Sequence, residues 1–210
     1  MSNLIPFIIT VDGTAGSGKG TLSKRLAKHF DFVHLDTGKL YRATAYIILQ
    51  NGGDIHNTEH ALEAVKQLNA NDFSNPELSQ NHIGNGASIV SKIPQVRNAL
   101  LEYQRNFPNG HTGAVVDGRD IGTIIFPDAP VKFFVDADVK IRAERRYKEL
   151  SSTGVSFDTV LNDLMARDKS DKNRVIAPLK PADGSHFVDT SHVDIATMVQ
   201  QAIVKVSYKK

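Results

Sequence analysis

The chain has 210 residues, 40% of them hydrophobic and 23% charged, with a net charge of +2 and no cysteine. This supports one well-buried domain, or one domain with small appendages, and argues against a chain disordered throughout. It also excludes a disulfide framework, thiolate catalysis and Cys-based zinc, in keeping with a reducing cytosol. So small a net charge gives no whole-protein field to attract nucleic acid. The apolar run at 7–11 is too short to span a bilayer and no basic stretch precedes it, so a cytoplasmic protein with neither anchor nor secretory signal is expected.

In chain order, 7–11 reads as a buried strand, short and β-branched, ended by Asp12-Gly13. Residues 19–30 read as a helix with Leu22, Leu26 and Phe30 in one stripe. A second strand is expected at 32–35, then a helix over 39–50 that stops before Gly52-Gly53. Residues 69–86, rich in Asn, Ser, Gly and Gln, read as loop or irregular insert. Helix returns at 94–107. Strands at 114–116 and 131–135 flank a Gly-, Asp- and Pro-rich loop, and helices follow at 138–150 and 155–167. A last strand covers 187–189. Ser191 with Asp194 reads as a capping box opening a final helix. The alternation of strand and helix predicts an α/β fold, a parallel sheet covered on both faces.

Gly13-Thr14-Ala15-Gly16-Ser17-Gly18-Lys19 matches G-x-x-x-x-G-K between a predicted strand and a predicted helix. Glycines let the backbone turn tightly and point successive N–H groups inward, and the helix N-terminus adds positive potential. Lys19 supplies a mobile charge for the β- and γ-phosphates. Gly20 follows Lys19 and the hydroxyl comes one residue later, at Thr21. The usual Mg²⁺-ligating hydroxyl is therefore displaced, and the direct metal ligands stay unassigned.

The phosphate motif extended to Thr21 is similar to that of nucleoside monophosphate kinases. Three further blocks resemble bacterial cytidylate kinases, in family order. They are His34-Leu35-Asp36-Thr37-Gly38-Lys39-Leu40-Tyr41-Arg42, then Asp117-Gly118-Arg119-Asp120-Ile121-Gly122-Thr123 with Phe126-Pro127-Asp128-Ala129-Pro130, then Arg167-Asp168-Lys169-Ser170-Asp171-Lys172-Asn173-Arg174. The resemblance implies a three-layer P-loop kinase with a five-stranded parallel sheet in the order 2-3-1-4-5. It implies one domain over 1–210, with an acceptor-binding arm at about 37–106 and a lid at about 147–165. The implied reaction moves the γ-phosphate of ATP onto CMP or dCMP, with Mg²⁺. The protein should be a monomer that binds small nucleotides but neither nucleic acid nor membrane. UMP or AMP as acceptor, and more remotely a GTPase switch, are the alternatives.

Phosphoryl transfer gathers negative charge, so its catalysis is mostly positioning and electrostatics, and arginine suits it because its planar fork binds phosphate bidentately. Arg42, Arg119, Arg167 and Arg174 are expected at element ends or in loops. The resemblance assigns Arg119, Arg174 and Arg42 to the acceptor phosphate, the first two with Lys19 as catalytic groups. It puts Thr37 and Tyr41 in the acceptor pocket, Asp171 and Arg167 on the sugar, and Ser88, Arg97 and Asp120 on the base. Asp120 also stands on chemistry: a carboxylate accepts from the cytosine N4 amino group but not from the uracil O4 carbonyl. Gly13 to Thr21 would hold ATP, with Arg146 from the lid side. Arg142, Arg145 and Arg146 read equally as lid arginines or as a solvated helix face with Glu144–Lys148 pairing.

Two departures stand out. Ala15 occupies a position that often carries Ser, and the acceptor insert is too short for the small antiparallel sheet of the long bacterial type, with Ser79 where an arginine is usual. His56-Asn57-Thr58-Glu59-His60 satisfies a zinc-peptidase pattern, but a helix starting only after His56, at a cap-like Thr58, would not present both histidines on one face. Asp168-Lys169-Ser170-Asp171 lacks the Asn of the guanine-specifying N-K-x-D. The basic 140–148 segment lacks the aromatic interleaving of a single-strand binder.

Overall fold

The computed structural model describes residues 5–150 and 154–209. Residues 151–153, inside the expected lid, lie outside the described residues. The strands are β1 (Phe7–Gly13), β2 (Val33–Asp36), β3 (Gly113–Gly118), β4 (Val131–Asp136) and β5 (His186–Asp189). They form one five-stranded sheet in the order β2-β3-β1-β4-β5, the order expected. β1 is central, pairing in parallel with β3 on one side and β4 on the other, and β4 pairs in parallel with β5.

Side chains alternate across the sheet. Ile9 and Val11 of β1, Val115 of β3 and Phe133 and Val135 of β4 pack with α1 (Lys19–Phe30) through Leu22 and Leu26. The last helix, α8 (Ile195–Ser207), closes the same core with Met198, Ala202 and Val206. The even positions of β1 point the other way. There Thr10 and Asp12 are buried beneath a π-helical turn, Ile121–Ile125.

The chain divides into two compact units. One runs to Leu35 and resumes at Pro108, and the other is Asp36–Phe107. The second holds α2 (Thr37–Gln50), α3 (Thr58–Gln67), α4 (Asn81–Val90) and α5 (Pro94–Asn106), with 3₁₀ turns at Ala70–Ser74 and Pro76–Ser79. Its core is built from Leu40, Ile48, Ala61, Val90, Val96 and Leu100. The first unit adds α6 (Val139–Glu149) and α7 (Phe157–Asn173).

Four readings of the sequence need correction. The segment 69–86 is more ordered than a loop: it holds both 3₁₀ turns and the start of α4. Helix α4 shows little periodicity because its glycines serve close packing. A Cβ on Gly86 would lie 3.1 Å from Ala45 Cβ, and one on Gly84 would lie 2.8 Å from Arg42 Nη2. Helix α7 continues six residues beyond 167, so Arg167 lies inside a helix, as does Arg42 in α2. Ser191 and Asp194 form no capping box. Asp194 caps α8 alone by accepting from Thr197 N, while the Ser191 hydroxyl accepts from Asp138 N. The cap of α3 is Asn57 rather than Thr58.

Candidate active site

The phosphate cradle is the turn between β1 and α1. Gly16 and Gly18 take φ of 75° and 87°, a left-handed region costly for residues with a side chain. Gly13 allows β1 to press against β4, since a Cβ there would lie 2.0 Å from the Val135 carbonyl oxygen. The loop's carbonyls are engaged by side chains. Ser17 Oγ donates to Thr14 O at 3.0 Å, and Lys19 Nζ approaches the same oxygen at 3.5 Å. Arg142 Nη1 donates to Ala15 O at 3.1 Å, and Thr190 Oγ1 donates to Ser17 O at 2.8 Å. The Thr14 hydroxyl donates to Asp136 Oδ1 at 2.6 Å. With those carbonyls held, the N–H groups of the turn and of the α1 N-terminus are what the loop offers to an anion. The first turn of α1 carries no acidic residue to compete. Gly20 is half-buried and Thr21 exposed.

Charged groups converge at the end of β3 and the C-terminal end of α7. Arg119 Nε donates to Asp171 Oδ2 at 2.8 Å, and Arg174 Nη2 reaches Asp120 Oδ1 at 3.4 Å. Burial opposes ionisation of Asp171, but the Arg119 guanidinium, reinforced by Arg167 and Arg174, outweighs it and holds that carboxyl below the ordinary Asp value. Burial likewise works against the charge of Arg119, and Asp171 overrides it, so the guanidinium is held more firmly protonated than usual. Arg174 is steadied on its other side by its Nε bond to Ala177 O. Ala177 itself sits at φ 51°, a rare conformation for a residue with a Cβ.

The second unit groups other residues expected at the site. Arg97 is buried, lies over the Tyr41 ring at 5.8 Å from its centroid, and donates to Ser91 O at 3.3 Å. Ser91 Oγ donates to Ser88 O at 3.1 Å, joining Ser88 to this group. Thr37 is buried in the first turn of α2. Arg42 donates to the carbonyls of Leu78 and Gln80, so it braces the second 3₁₀ turn.

Of the α6 arginines, Arg142 is only 3% exposed, so it is no part of a solvated face. It clamps Asp168 with Nη1 at 3.2 Å and Nη2 at 2.6 Å and holds the Ala137 carbonyl with Nε. Arg145 donates to both the hydroxyl and the carbonyl of Thr190. Arg146 alone keeps a surface-type pair, with Glu149 at 2.9 Å. Sequence reasoning missed Asp12, Asp136, Arg142, Arg145 and Thr190 as supports of the cradle and its neighbouring turn. Their partners are distant in the chain, and no local spacing announces them.

A model of the cytidylate kinase family matches residues 9–208. The chain belongs to this family. A cytidylate kinase from Bradyrhizobium diazoefficiens is 50% identical over 198 residues, covering 93% of each chain. One from Afipia carboxidovorans is also 50% identical, over 93% of this chain and 95% of that one. Solved structures resemble it in fold: an uncharacterized protein from Eubacterium ventriosum (TM-score 0.57, 16% identity, covering 96% of this chain and 98% of that one) and a shikimate kinase from Acinetobacter baumannii in complex with shikimate (TM-score 0.50, 14% identity, covering 99% and 96%). Among the described residues no helix is long and apolar enough to cross a membrane.

Proposed function

We propose that this enzyme transfers the γ-phosphate of ATP to CMP or dCMP, giving ADP and CDP or dCDP. The reading is carried by one observation: two guanidiniums, Arg119 and Arg174, each tethered to a carboxylate, lie in the same compact unit as the phosphate cradle. A phosphate oxygen of the acceptor attacks the γ-phosphorus in line, and the bond to the β–γ bridging oxygen breaks. No covalent intermediate on the protein is required.

Lys19 and the N–H groups from Gly13 to Thr21 take the ATP phosphates. The left-handed glycines and the occupied carbonyls fit that task. Asp171 takes the Nε side of Arg119 and so orients the fork toward an incoming phosphate, as Ala177 and Asp120 do for Arg174. Asp120 reads the cytosine amino group. Arg167 and Asp171 take the sugar. Thr37, Tyr41, Arg42, Ser88 and Arg97 supply further acceptor contacts, and Arg146 supplies one to ATP. Mg²⁺ would arrive with the nucleotide, neutralising phosphate charge. Among the described residues no cluster of three or more His, Asp or Glu could hold a metal, which suits an ion held largely by phosphates. The reading carries with it a monomer working in the cytoplasm.

The test is ATP consumption by the purified protein against CMP, dCMP, UMP and AMP. CMP and dCMP should give the highest kcat/KM. Asp120→Asn should lose CMP activity and hold or gain UMP activity, because the amide can turn to donate to O4. An absence of acceptor-dependent turnover refutes the reaction, and an unchanged CMP-to-UMP ratio in the variant refutes the role of Asp120.

A further inference from the structure

Asp12 is the last residue before the phosphate cradle and is 2% exposed. Its carboxylate does not face the cradle. Oδ1 accepts from Ile121 N at 2.8 Å and Oδ2 accepts from Gly122 N at 2.7 Å. These are the first two N–H groups of the π turn Ile121–Ile125, donors that a helical start leaves unpaired. The residue placed to cap them is Asp120, since Asp before a turn ordinarily accepts from the N–H groups that follow. Asp120 makes no such side-chain bond. Its carboxylate reaches Arg174 instead, and its carbonyl takes the N–H groups of Ile124 and Ile125. A residue 109 positions earlier in the chain thus caps the turn and releases Asp120 from that work.

The approach is tight on both sides. A Cβ on Gly122 would lie 2.8 Å from Thr10 Oγ1 and 3.4 Å from Asp12 Oδ2, so glycine lets the turn sit down on the carboxylate. Burial pushes the Asp12 carboxyl up to about 7, a cost that the Gly122 and Ile121 N–H bonds offset only in part. The neighbouring charges are Asp120, which works against ionisation, and Arg119, which favours it. A carboxylate in so unfavourable a place is poorly explained by stability alone.

We propose that Asp12 is a positioning residue for acceptor recognition: by capping the turn at Ile121 and Gly122 from the strand that begins the phosphate cradle, it spares the Asp120 carboxylate from capping and fixes Arg119 and Asp120 for the acceptor. The proposal rests on the acceptor roles given to those two residues above.

The test is a double-mutant cycle of Asp12→Asn and Asp120→Asn. Steady-state CMP kinetics are measured at saturating ATP, ATP affinity by equilibrium titration without acceptor, and folding by circular dichroism. The amide keeps one acceptor oxygen and points N–H groups at the second donor, so the turn should shift. A shift on the ångström scale costs about 10²-fold in kcat/KM. The expected result is a loss of that order for CMP with ATP affinity within about twofold, and a double variant little worse than Asp120→Asn alone, since coupled residues are not additive. Multiplicative losses, or CMP and ATP binding failing together, overturn the proposal. If Asp12→Asn does not fold, Gly122→Ala decides by the same readouts, because it lifts the same turn from above. Collapse of both variants makes Asp12 a core residue and also overturns it. If Asp120→Asn and Arg119→Ala themselves leave CMP kinetics intact, it is the acceptor assignment that fails, and the Asp12 proposal falls with it.

Discussion

Replacing Gly13 by Ala adds one methyl group where the sheet has no room. The new Cβ would lie 2.0 Å from the Val135 carbonyl oxygen, more than an ångström short of ordinary contact, and 3.0 Å from its carbon. Neither side yields cheaply. Val135 pairs with Gly13 in β1 and with Val188 in β5, so relief requires moving backbone in the middle of the sheet. Overpacking of this kind costs about 1–3 kcal/mol, and a backbone clash belongs at the upper end. In a chain of this size each kcal/mol lowers Tm by about 2–4 °C, so a fall of roughly 6–12 °C is expected. The same Cβ would crowd Ser17 Oγ at 3.2 Å, so ATP affinity should fall as well. Thermal melts without nucleotide and an equilibrium titration with ATP read the two effects separately. A Tm within about 2 °C of wild type, together with unchanged ATP affinity, would refute the packing argument.

Other expectations concern charge. Lys19→Ala should reduce turnover by about 10²–10³ while leaving the melting curve near wild type; near-normal turnover in folded protein removes Lys19 from the reaction. Arg142→Met leaves Asp168 without its clamp and the Ala15 carbonyl without a donor, and should cost about 3–5 kcal/mol in urea unfolding. A loss below about 1 kcal/mol would mean the pair behaves as a surface one. Asp12 makes stability depend on pH. Its folded value near 7 against 3.8 unfolded means the folded state binds the proton more tightly, so its own contribution to stability is fullest below about pH 4 and is lost as pH rises through about 7. The loss is at most about 4 kcal/mol. It should appear in the difference between wild type and Asp12→Asn, and a flat difference curve would show Asp12 unperturbed. Asp171, held low chiefly by Arg119 against its burial, works in the opposite sense: its contribution persists above the ordinary Asp value and is lost only in more acid solution.

What was legible in the sequence was local. The β1-turn-α1 unit is announced by glycine spacing between an apolar run and an amphipathic helix, and all five strands were expected close to where they lie. Helix α4 was hidden because Gly84 and Gly86, which usually mark loops, are there to let α2 approach. The end of α7 was misplaced because its last turns, from Asp168 to Asn173, are polar and carry no apolar stripe. Arg142 looked interchangeable with its neighbours on a charged helix, and only the tertiary structure separates the buried clamp from the half-buried Arg146 with its pair to exposed Glu149. Asp12 gave no sign at all, because the groups it holds are more than a hundred residues away.

The order β2-β3-β1-β4-β5 sets a schedule for the nascent chain. The first strand to leave the ribosome is the one that ends in the middle. Its backbone partners lie at Gly113 to Gly118 and at Val131 to Val135, so they are made long after it. Meanwhile Asp36–Phe107, a continuous stretch with its own core, has been synthesised in full and can condense first. Until β3 arrives, β1 is an unpaired apolar strand with both edges open, the kind of segment that chaperones shield. The slow step in biogenesis should be the closing of the sheet around that waiting strand, and the phosphate cradle, which hangs from its end, should be among the last features to acquire its shape.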